Sequence, residues 1–365
     1  MQIIKGGTCV KQFYGTIAFL LVFAMLVCFA GCSETPTISD PMTDAQGNPI
    51  TTKEQWYQAC AEKKEKLQAE LYGTFPNGVG ELTVTNQTAV PLPECEAIME
   101  ECTLLFGNGL RETLRITYPD DGGKYPVIFR LDYLSDYEYR SPVEEQMLLE
   151  KRYAFVTIGR KDVAPDEATD RNGYGLSAYA DNDLGAIALW AYGAVAAADY
   201  VSQKDFADTD KFCITGHSRD GKAAICAGVM DERFKVIAPN GSGVGGAASF
   251  HVQGEDSESA SHLAEAFPHW FSSSFNKAVA DDTLTIDMID AFCVLAPRAV
   301  LRTEAKNDAW ANPDGTKAIQ QAMNPVYEFL GVSTDYNQVV FREGDHGHTE
   351  EDWNTLIAFC DSVFH

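Results

Sequence analysis

The chain has 365 residues, a formal net charge of −25 and a hydrophobic fraction of 45%. Its length suits one large α/β domain with a substantial core. A charge this negative argues against nucleic acids and anionic surfaces as partners.

The N-terminal residues have the pattern of a bacterial lipoprotein signal peptide, predicted over 1–31. Lys5 and Lys11 precede an apolar run over 17–30, and Cys32 follows. Cleavage before Cys32 removes two lysines and no acids, takes the charge from −25 to −27, and leaves a cysteine for lipid modification. The mostly polar residues 32–52 are predicted to be a flexible tether. We therefore expect an extracytoplasmic protein that contacts a bacterial membrane through this lipid anchor only.

The remainder, 53–365, is predicted to be one catalytic domain. A helix over Thr52–Leu71 comes first, and antiparallel strands follow within 80–118. The later elements are an apolar helix at 183–202 and strands at 125–131, 153–159, 236–239, 298–302 and 338–342. This alternation predicts an α/β fold, with a mostly parallel central sheet and helices on both faces. Residues 244–290 are interpreted as an insertion that covers the site.

The most informative segment is Gly216-His217-Ser218-Arg219-Asp220-Gly221. It lies between a strand-like run at 211–215 and a run of helix formers at 222–230. A strand, a tight serine turn and a helix make the nucleophile elbow of α/β-hydrolases, which predicts Ser218 as the nucleophile. The alternative is a turn serine that only caps a helix. A second oxyanion donor is expected from the loop at 132–134.

A serine nucleophile needs a base to take its proton and an acid to orient that base. In this fold the chain order is serine, acid, histidine. His346 and His348 lie in a glycine-flanked loop between the last strand and a helix whose capping box begins at Thr349. His346 is favoured because it comes first after the strand, and His348 is the alternative.

The acid should follow the strand at 298–302, where Glu304 and Asp308 both fit. A carboxylate in a loop is by default a solvated surface charge. We favour Asp308 because the Asn307-Asp308 pair is turn-forming and lies further into the loop. Glu304 is the alternative.

The elbow sequence GHSRDGK resembles the GCSRNGKG of glucuronoyl esterases, carbohydrate esterase family fifteen, and the similarity extends from about Trp56 to the C-terminus. Other matching segments are 185–193, 239–243, 268–272, 295–298, 308–313 and 344–346. The resemblance implies an α/β-hydrolase fold. It also implies cleavage of the ester between the glucuronic acid of xylan and an alcohol of lignin. The implied mechanism is serine acyl transfer without a metal or organic cofactor.

The resemblance also implies roles for five further side chains. Arg219 resembles the arginine that assists the oxyanion hole, and Lys222 resembles the lysine that contacts the uronate hydroxyls. Trp310 resembles a tryptophan at the sugar site. Gln253 and Glu255 lie near the positions where the family has sugar-binding Gln and Glu. Together these residues predict a carbohydrate ester as the substrate.

Two features depart from fungal members of the family. Those proteins have a catalytic glutamate where this chain has Gly241, which offers no carboxylate. They also have two cysteines, joined by a disulfide, at the positions that are His217 and Gly347 in this chain. Many bacterial relatives carry the acid in a later loop, which again indicates Asp308. His217 is interpreted as filling the space of the missing disulfide.

Three functions follow from these patterns. The leading one is a Ser-His-Asp esterase acting on glucuronoyl esters of plant cell walls. The second is an acetylxylan or other short-acyl esterase, because uronate specificity depends on Lys222 and Trp310 facing the cavity. The third is a surface lipoprotein that binds glycans with an inactive elbow, for which Gly241 is the main support.

Overall fold

The computed structural model of the chain describes residues 38–132, 148–167 and 174–365. The predicted signal peptide, Cys32 and the tether up to residue 37 lie outside the described residues. So do two positions of the expected oxyanion loop, 133 and 134. Across the described ranges, no helix combines the length and the apolar character that a membrane span requires.

A nine-stranded sheet, in the spatial order β1-β2-β3-β5-β4-β6-β7-β8-β9, occupies the centre of the fold. Its strands are β1 Thr83–Leu92, β2 Ala97–Phe106, β3 Leu110–Pro119, β4 Tyr125–Asp132, β5 Ala154–Gly159, β6 Ala207–His217, β7 Phe234–Asn240, β8 Ala299–Ala305 and β9 Asn337–Arg342. The first three strands and β5 pair antiparallel, and every pairing from β5 to β9 across the sheet is parallel. The predicted α/β class with a mostly parallel sheet is confirmed.

Helices flank this sheet. They are α1 Lys53–Leu67, α2 Arg160–Val163, α3 Tyr174–Ala178, α4 Ala186–Val201, α5 Arg219–Met230, α6 Ala260–Ala266, α7 Ser273–Ala280, α8 Ile289–Leu295, α9 Pro313–Leu330 and α10 Glu350–Phe364. A π-helical turn, Gln68–Tyr72, extends α1, and 3₁₀ turns occur at Ala180–Asn182, Ala309–Ala311 and Thr334–Tyr336. The capping box predicted at Thr349 is present at the start of α10.

Strand β4 shows why the sheet carries an apolar core on each face. Val127 and Phe129 belong to the larger core, which contains Trp190 of α4. Ile128 points to the other face and joins a smaller core with Trp353 of α10. Because side chains alternate along a strand, a parallel strand covered on both faces is a continuous apolar run. That explains the YPVIFRL sequence of this segment.

Residues 38–52 belong to the domain and not to the expected tether. The Asp44 carboxylate accepts hydrogen bonds from the backbone N–H groups of Gln46 and Asn48, which fixes a turn. Ile50 is 5% exposed and packs into the larger core. Thr52 then caps α1. The tether prediction was wrong here because the polar composition hid an aspartate turn and the apolar residues that anchor the segment, Ile50 and the partly buried Ile38 and Met42.

Candidate active site

Ser218 lies in a strained turn between β6 and α5. Its φ of 56° and ψ of −123° place a non-glycine residue in the left-handed half of the backbone map. A Cβ at Gly216 would lie 2.3 Å from the Asp220 carbonyl oxygen, and one at Gly221 would lie 2.8 Å from Ser242 Cβ. Both positions therefore require glycine. The Ser218 side chain makes no capping hydrogen bond to α5, which removes the helix-cap alternative.

His346 is held by Asp308. The distance from His346 Nδ1 to Asp308 Oδ2 is 2.5 Å. Because an ionised carboxylate only accepts hydrogen bonds, Nδ1 carries the proton and Nε2 of the neutral ring keeps its lone pair. His346 and Ser218 line the same two cavities. The His346 side chain is 42% exposed, so substrate and water can reach it.

Asp308 stays ionised although it is nearly buried. Burial alone raises the pKa of its carboxyl, but the hydrogen bond and charge of His346 and the N–H of Ala311 outweigh that effect and lower the pKa. Asp308 precedes the 3₁₀ turn Ala309–Ala311, and its Oδ1 accepts from Ala311 N at 3.3 Å. A fixed, ionised carboxylate of this kind can orient an imidazole and stabilise its protonated form.

Glu304 is on β8 and its carboxyl lies elsewhere. It is 1% exposed and accepts a hydrogen bond from Thr316 Oγ1 at 3.1 Å. Burial raises the pKa of its carboxyl to about 8. Near neutral pH it is therefore mainly protonated, and it makes no hydrogen bond to His346. The structure thus brings Asp308, and not Glu304, to the histidine.

His348 and His217 are packed against their neighbours. The His348 ring stacks on Trp353 with a centroid distance of 4.5 Å, and burial lowers its pKa well below the usual value. His217 Nδ1 lies 2.6 Å from Asn240 Oδ1, and the His217 ring centroid is 4.4 Å from that of His346. His217 therefore fills space beside the histidine that contacts Asp308.

Gly241 lies close to His346 Nδ1, the nitrogen that Asp308 contacts. Its φ is +50°, and a Cβ built there would lie 3.5 Å from His346 Nδ1. A carboxylate at 241 could thus approach the nitrogen from the end of β7, whereas Asp308 approaches it from the loop after β8. Asp308 therefore supplies, from the loop after β8, the carboxylate contact to Nδ1 that Gly241 cannot make.

A cavity of about 180 Å³ opens beside Ser218 and contains a buried ion pair. Lys222 is 3% exposed, and its Nζ donates to Glu258 Oε2 at 2.9 Å and to the Val244 carbonyl at 2.6 Å. Trp310 lines the same cavity and is 48% exposed. A lysine, a carboxylate and a half-exposed indole ring together offer hydrogen-bonding groups and an apolar aromatic surface.

Two of the expected sugar-binding residues are not in this cavity. Gln253 and Glu255 are exposed, and Gln253 Nε2 donates to the Phe250 carbonyl at 3.1 Å. Glu258 takes the position instead, because its backbone N–H donates to the Trp310 carbonyl at 3.0 Å and draws it inward. The sequence did not reveal Glu258, because the burial of Lys222, which calls for a charged partner, is known only from the structure.

Arg219 lies beside the serine and lines both cavities. Its Nη1 donates to Asp166 Oδ2 at 2.7 Å, and its guanidinium carbon is 4.8 Å from the centroid of the Trp270 ring. Sequence analysis did not identify Asp166, because it lies 53 residues earlier in the chain. The second cavity, of about 460 Å³, has charged walls that include Arg130, Asp132, Arg160 and Asp220.

Comparison with known proteins gives a consistent set of similarities. The family model described as "Glucuronyl esterase, fungi" matches residues 107–331, a region that contains Ser218 and Asp308. A carbohydrate esterase, MZ0003, from an unknown prokaryotic organism is 28% identical, with 89% of each chain covered. A 4-O-methyl-glucuronoyl methylesterase from Hypocrea jecorina is 27% identical over 85% of this chain and 65% of that protein.

The fold is shared with solved structures. The glucuronoyl esterase from Solibacter usitatus matches with a TM-score of 0.81 and 25% identity, covering 91% of this chain and all of that one. The sheet described above is therefore that of an α/β-hydrolase, and its elbow is at the position where such enzymes act.

Proposed function

Because this chain belongs to the glucuronyl esterase family, we propose that it hydrolyses esters of 4-O-methyl-glucuronic acid, such as those that join xylan to lignin alcohols. It is a carbohydrate esterase. One observation carries the proposal: His346, which contacts Asp308, lines together with Ser218 the cavity that holds Lys222 and Glu258. A hydrolytic centre and a cavity with both charged and aromatic walls therefore lie side by side.

In the acylation step, Ser218 Oγ attacks the ester carbonyl carbon while His346 Nε2 takes the hydroxyl proton. Asp308 stabilises the imidazolium that forms. The C–O bond to the alcohol then breaks, and the alcohol leaves with the proton from His346. The product is a glucuronoyl ester of Ser218.

In the deacylation step, water attacks that ester while His346 takes its proton. Ser218 then leaves and is reprotonated by His346, which releases free glucuronate. In both steps the negative charge develops on the carbonyl oxygen. The backbone N–H of Arg219, at the start of α5, and its guanidinium are the donors we assign to that oxygen.

Recognition of the sugar is assigned to three side chains. Lys222 and Glu258 offer a donor and an acceptor to the sugar hydroxyls, and the Trp310 face suits the C–H face of a pyranose ring. An ester of glucuronate carries no carboxylate charge, so the strongly acidic protein does not repel it. The free acid produced is charged and is repelled more strongly than the substrate.

The proposal is tested by comparing hydrolysis of benzyl glucuronate and of an acetyl ester by the mature protein. We expect preference for the glucuronate ester, and a loss on the order of 10⁴-fold or more in the Ser218→Ala variant, whose fold is checked by circular dichroism. Preference for the acetyl ester would instead indicate a short-acyl esterase. Near wild-type turnover by Ser218→Ala would rule out the serine mechanism. The acid at Asp308 argues against an inactive glycan-binding protein.

We also propose that Cys32 carries a lipid that holds the enzyme outside the cytoplasm on a bacterial membrane. The support is the sequence of the first 32 residues, with its two lysines, apolar run and terminal cysteine. In the native host, Cys32→Ala should release the protein from the membrane fraction or leave an uncleaved precursor. Soluble mature protein from the unaltered gene would contradict the proposal.

A further inference from the structure

The Arg219 side chain is long and 35% exposed, so contacts with other residues are needed to hold it beside Ser218. Among the described residues its only hydrogen-bond partner is Asp166, through one of its five N–H groups. Its guanidinium also lies over the Trp270 ring at 4.8 Å and near the Phe267 ring at 5.6 Å. Those aromatic contacts restrict the plane of the guanidinium but do not fix its rotation. No other residue in the described part of the chain bonds the remaining donors, which leaves them for a substrate oxygen.

Asp166 itself is held by four donors. It is 3% exposed. Its Oδ1 accepts from His269 Nε2 at 3.0 Å and from Trp270 Nε1 at 2.9 Å, and its Oδ2 accepts from Arg160 Nη1 at 3.2 Å as well as from Arg219. Burial alone raises the pKa of this carboxyl, but these donors outweigh it and hold the pKa well below its usual range. The carboxylate is therefore ionised and cannot rotate without losing hydrogen bonds.

The donors are anchored in the fold. The backbone carbonyls of His269 and Trp270 accept hydrogen bonds from the N–H groups of Ala186 and Ile187 at the start of α4. A Cβ at Gly185 would lie 2.2 Å from the Trp270 carbonyl oxygen, so this approach is close. Arg160 begins α2 at the end of β5, and it forms an ion pair with Asp220. Two arginines and two aspartates thus balance their charges beside the nucleophile.

We propose that Asp166 is a positioning residue that fixes the Arg219 guanidinium beside Ser218, so that its free N–H groups face the developing oxyanion. Asp166 does not line either cavity, so it acts through Arg219 and not on the substrate. This inference rests on the proposed function, because it assigns a support to a group that acts in that reaction.

The test is a double-mutant cycle on benzyl glucuronate with Asp166→Asn, Arg219→Ala and the double variant. Loss of one oxyanion donor typically lowers kcat by about 10²–10³-fold, which we expect for Arg219→Ala. Asp166→Asn should lower kcat about tenfold or more with little change in KM. In the Arg219→Ala background, Asp166→Asn should lower kcat by less than about twofold, because the guanidinium that Asp166 positions is absent. An equal loss in both backgrounds, or no loss in either, overturns the proposal.

Asp290→Asn is the matched control. Asp290 is buried and forms an ion pair with Lys63 at 2.6 Å between α8 and α1. This variant should lower the melting temperature but leave kcat within about twofold of wild type. A matching fall in kcat in this control would show that any buried ion pair produces the effect, and would also overturn the proposal.

If Asp166→Asn does not fold, Trp270→Phe replaces it in the double-mutant cycle with Arg219→Ala. It removes one donor to Asp166 Oδ1 and keeps an aromatic ring beneath Arg219. Its kcat should fall only when Arg219 is present, and a fall independent of Arg219 would contradict the proposal. Absence of any glucuronate hydrolysis by the wild-type protein would count against the proposed function instead. Activity that does not depend on Asp166 or Trp270 would count against this inference alone.

Discussion

Asp308 and Glu304 belong to one strand and the loop that follows it, yet their surroundings give them opposite protonation states. Glu304 is enclosed on β8, where burial raises the pKa of its carboxyl to about 8. Asp308 lies four residues on, where His346 and a backbone N–H more than offset burial and lower its pKa. At neutral pH the ionised Asp308 can stabilise an imidazolium, whereas a protonated Glu304 cannot.

This difference makes a matched pair of amide substitutions informative. Asp308→Asn should lower kcat by several orders of magnitude, because an amide can hold His346 in the wrong tautomer. Glu304→Gln should change kcat at pH 7 by less than about threefold, because a neutral amide replaces a mainly protonated carboxyl. Initial rates on benzyl glucuronate measure both. The reverse order of effects would reassign the acid to Glu304.

Glu258 and Glu255 form a second matched pair, separated by only three positions. Glu258 is 4% exposed and bonded to Lys222, whereas Glu255 is exposed. Glu258→Gln weakens the acceptor beside Lys222, and we expect kcat/KM on the glucuronate ester to fall about tenfold, as for a hydrogen bond to a charged group. Glu255→Gln should leave it unchanged. If both variants matched wild type, Glu258 would not contact the sugar.

At the level of elements, the local sequence pattern predicted the elbow. Contacts between residues that are distant in the sequence complete the site. A strand, a glycine-flanked serine and a helix follow one another within a few residues, so β6, Ser218 and α5 could be found from sequence. The start of α5 at Arg219 was missed, because the run of good helix formers begins only at Lys222. Asp166 and Glu258 could not be found, since tertiary packing alone brings them to Arg219 and Lys222.

The elbow glycines provide the prediction at this scale. Gly221→Ala would place a Cβ 2.8 Å from Ser242 Cβ and 2.9 Å from the Gly216 carbonyl, so α5 must move away from the end of β7. We expect a loss of about 1–3 kcal/mol in the free energy of unfolding, with a fall in kcat. Gly347→Ala, beside His346 and His348, meets its nearest atom only at 3.7 Å and is the control. Denaturant unfolding and initial rates test both. Equal stability of the two variants would contradict the packing argument.

For the whole molecule, alternation of strands and helices predicted the sheet, but the N-terminal edge of the domain was misjudged. Apolar runs such as that of β4 indicate burial on two faces, and the two cores confirm it. Residues 38–52 are polar on average, and their one buried isoleucine, Ile50, carries no periodic pattern that could reveal it. Ile38 and Met42 also pack against the core. Scattered anchoring residues of this kind can be recognised only once the surface they pack against is known.

The stability of the whole molecule should carry a pH dependence that originates at Glu304. In the unfolded chain its carboxyl has an ordinary pKa of about 4.5, and in the folded protein burial raises that pKa to about 8. Between these values the native state binds a proton that the unfolded state has lost, so stability falls as pH rises. The largest slope from one such group is about 1.4 kcal/mol per pH unit.

Glu304→Gln removes this contribution. The amide can still accept the hydrogen bond from Thr316, but it buries an NH₂ where Glu304 Oε2 has no hydrogen-bond partner among the described residues. The free-energy cost of burying this NH₂ is the same at every pH. The test is therefore how the difference in unfolding free energy between variant and wild type changes with pH, and not whether that difference is positive or negative. The free energy of unfolding of Glu304→Gln relative to wild type should rise from pH 5 to pH 8 and then level off. Glu255→Gln, on an exposed side chain, should show no such rise. A flat difference for Glu304→Gln would mean that Glu304 is ionised in the folded protein across this range, and would contradict the assignment of a protonated carboxyl to Glu304.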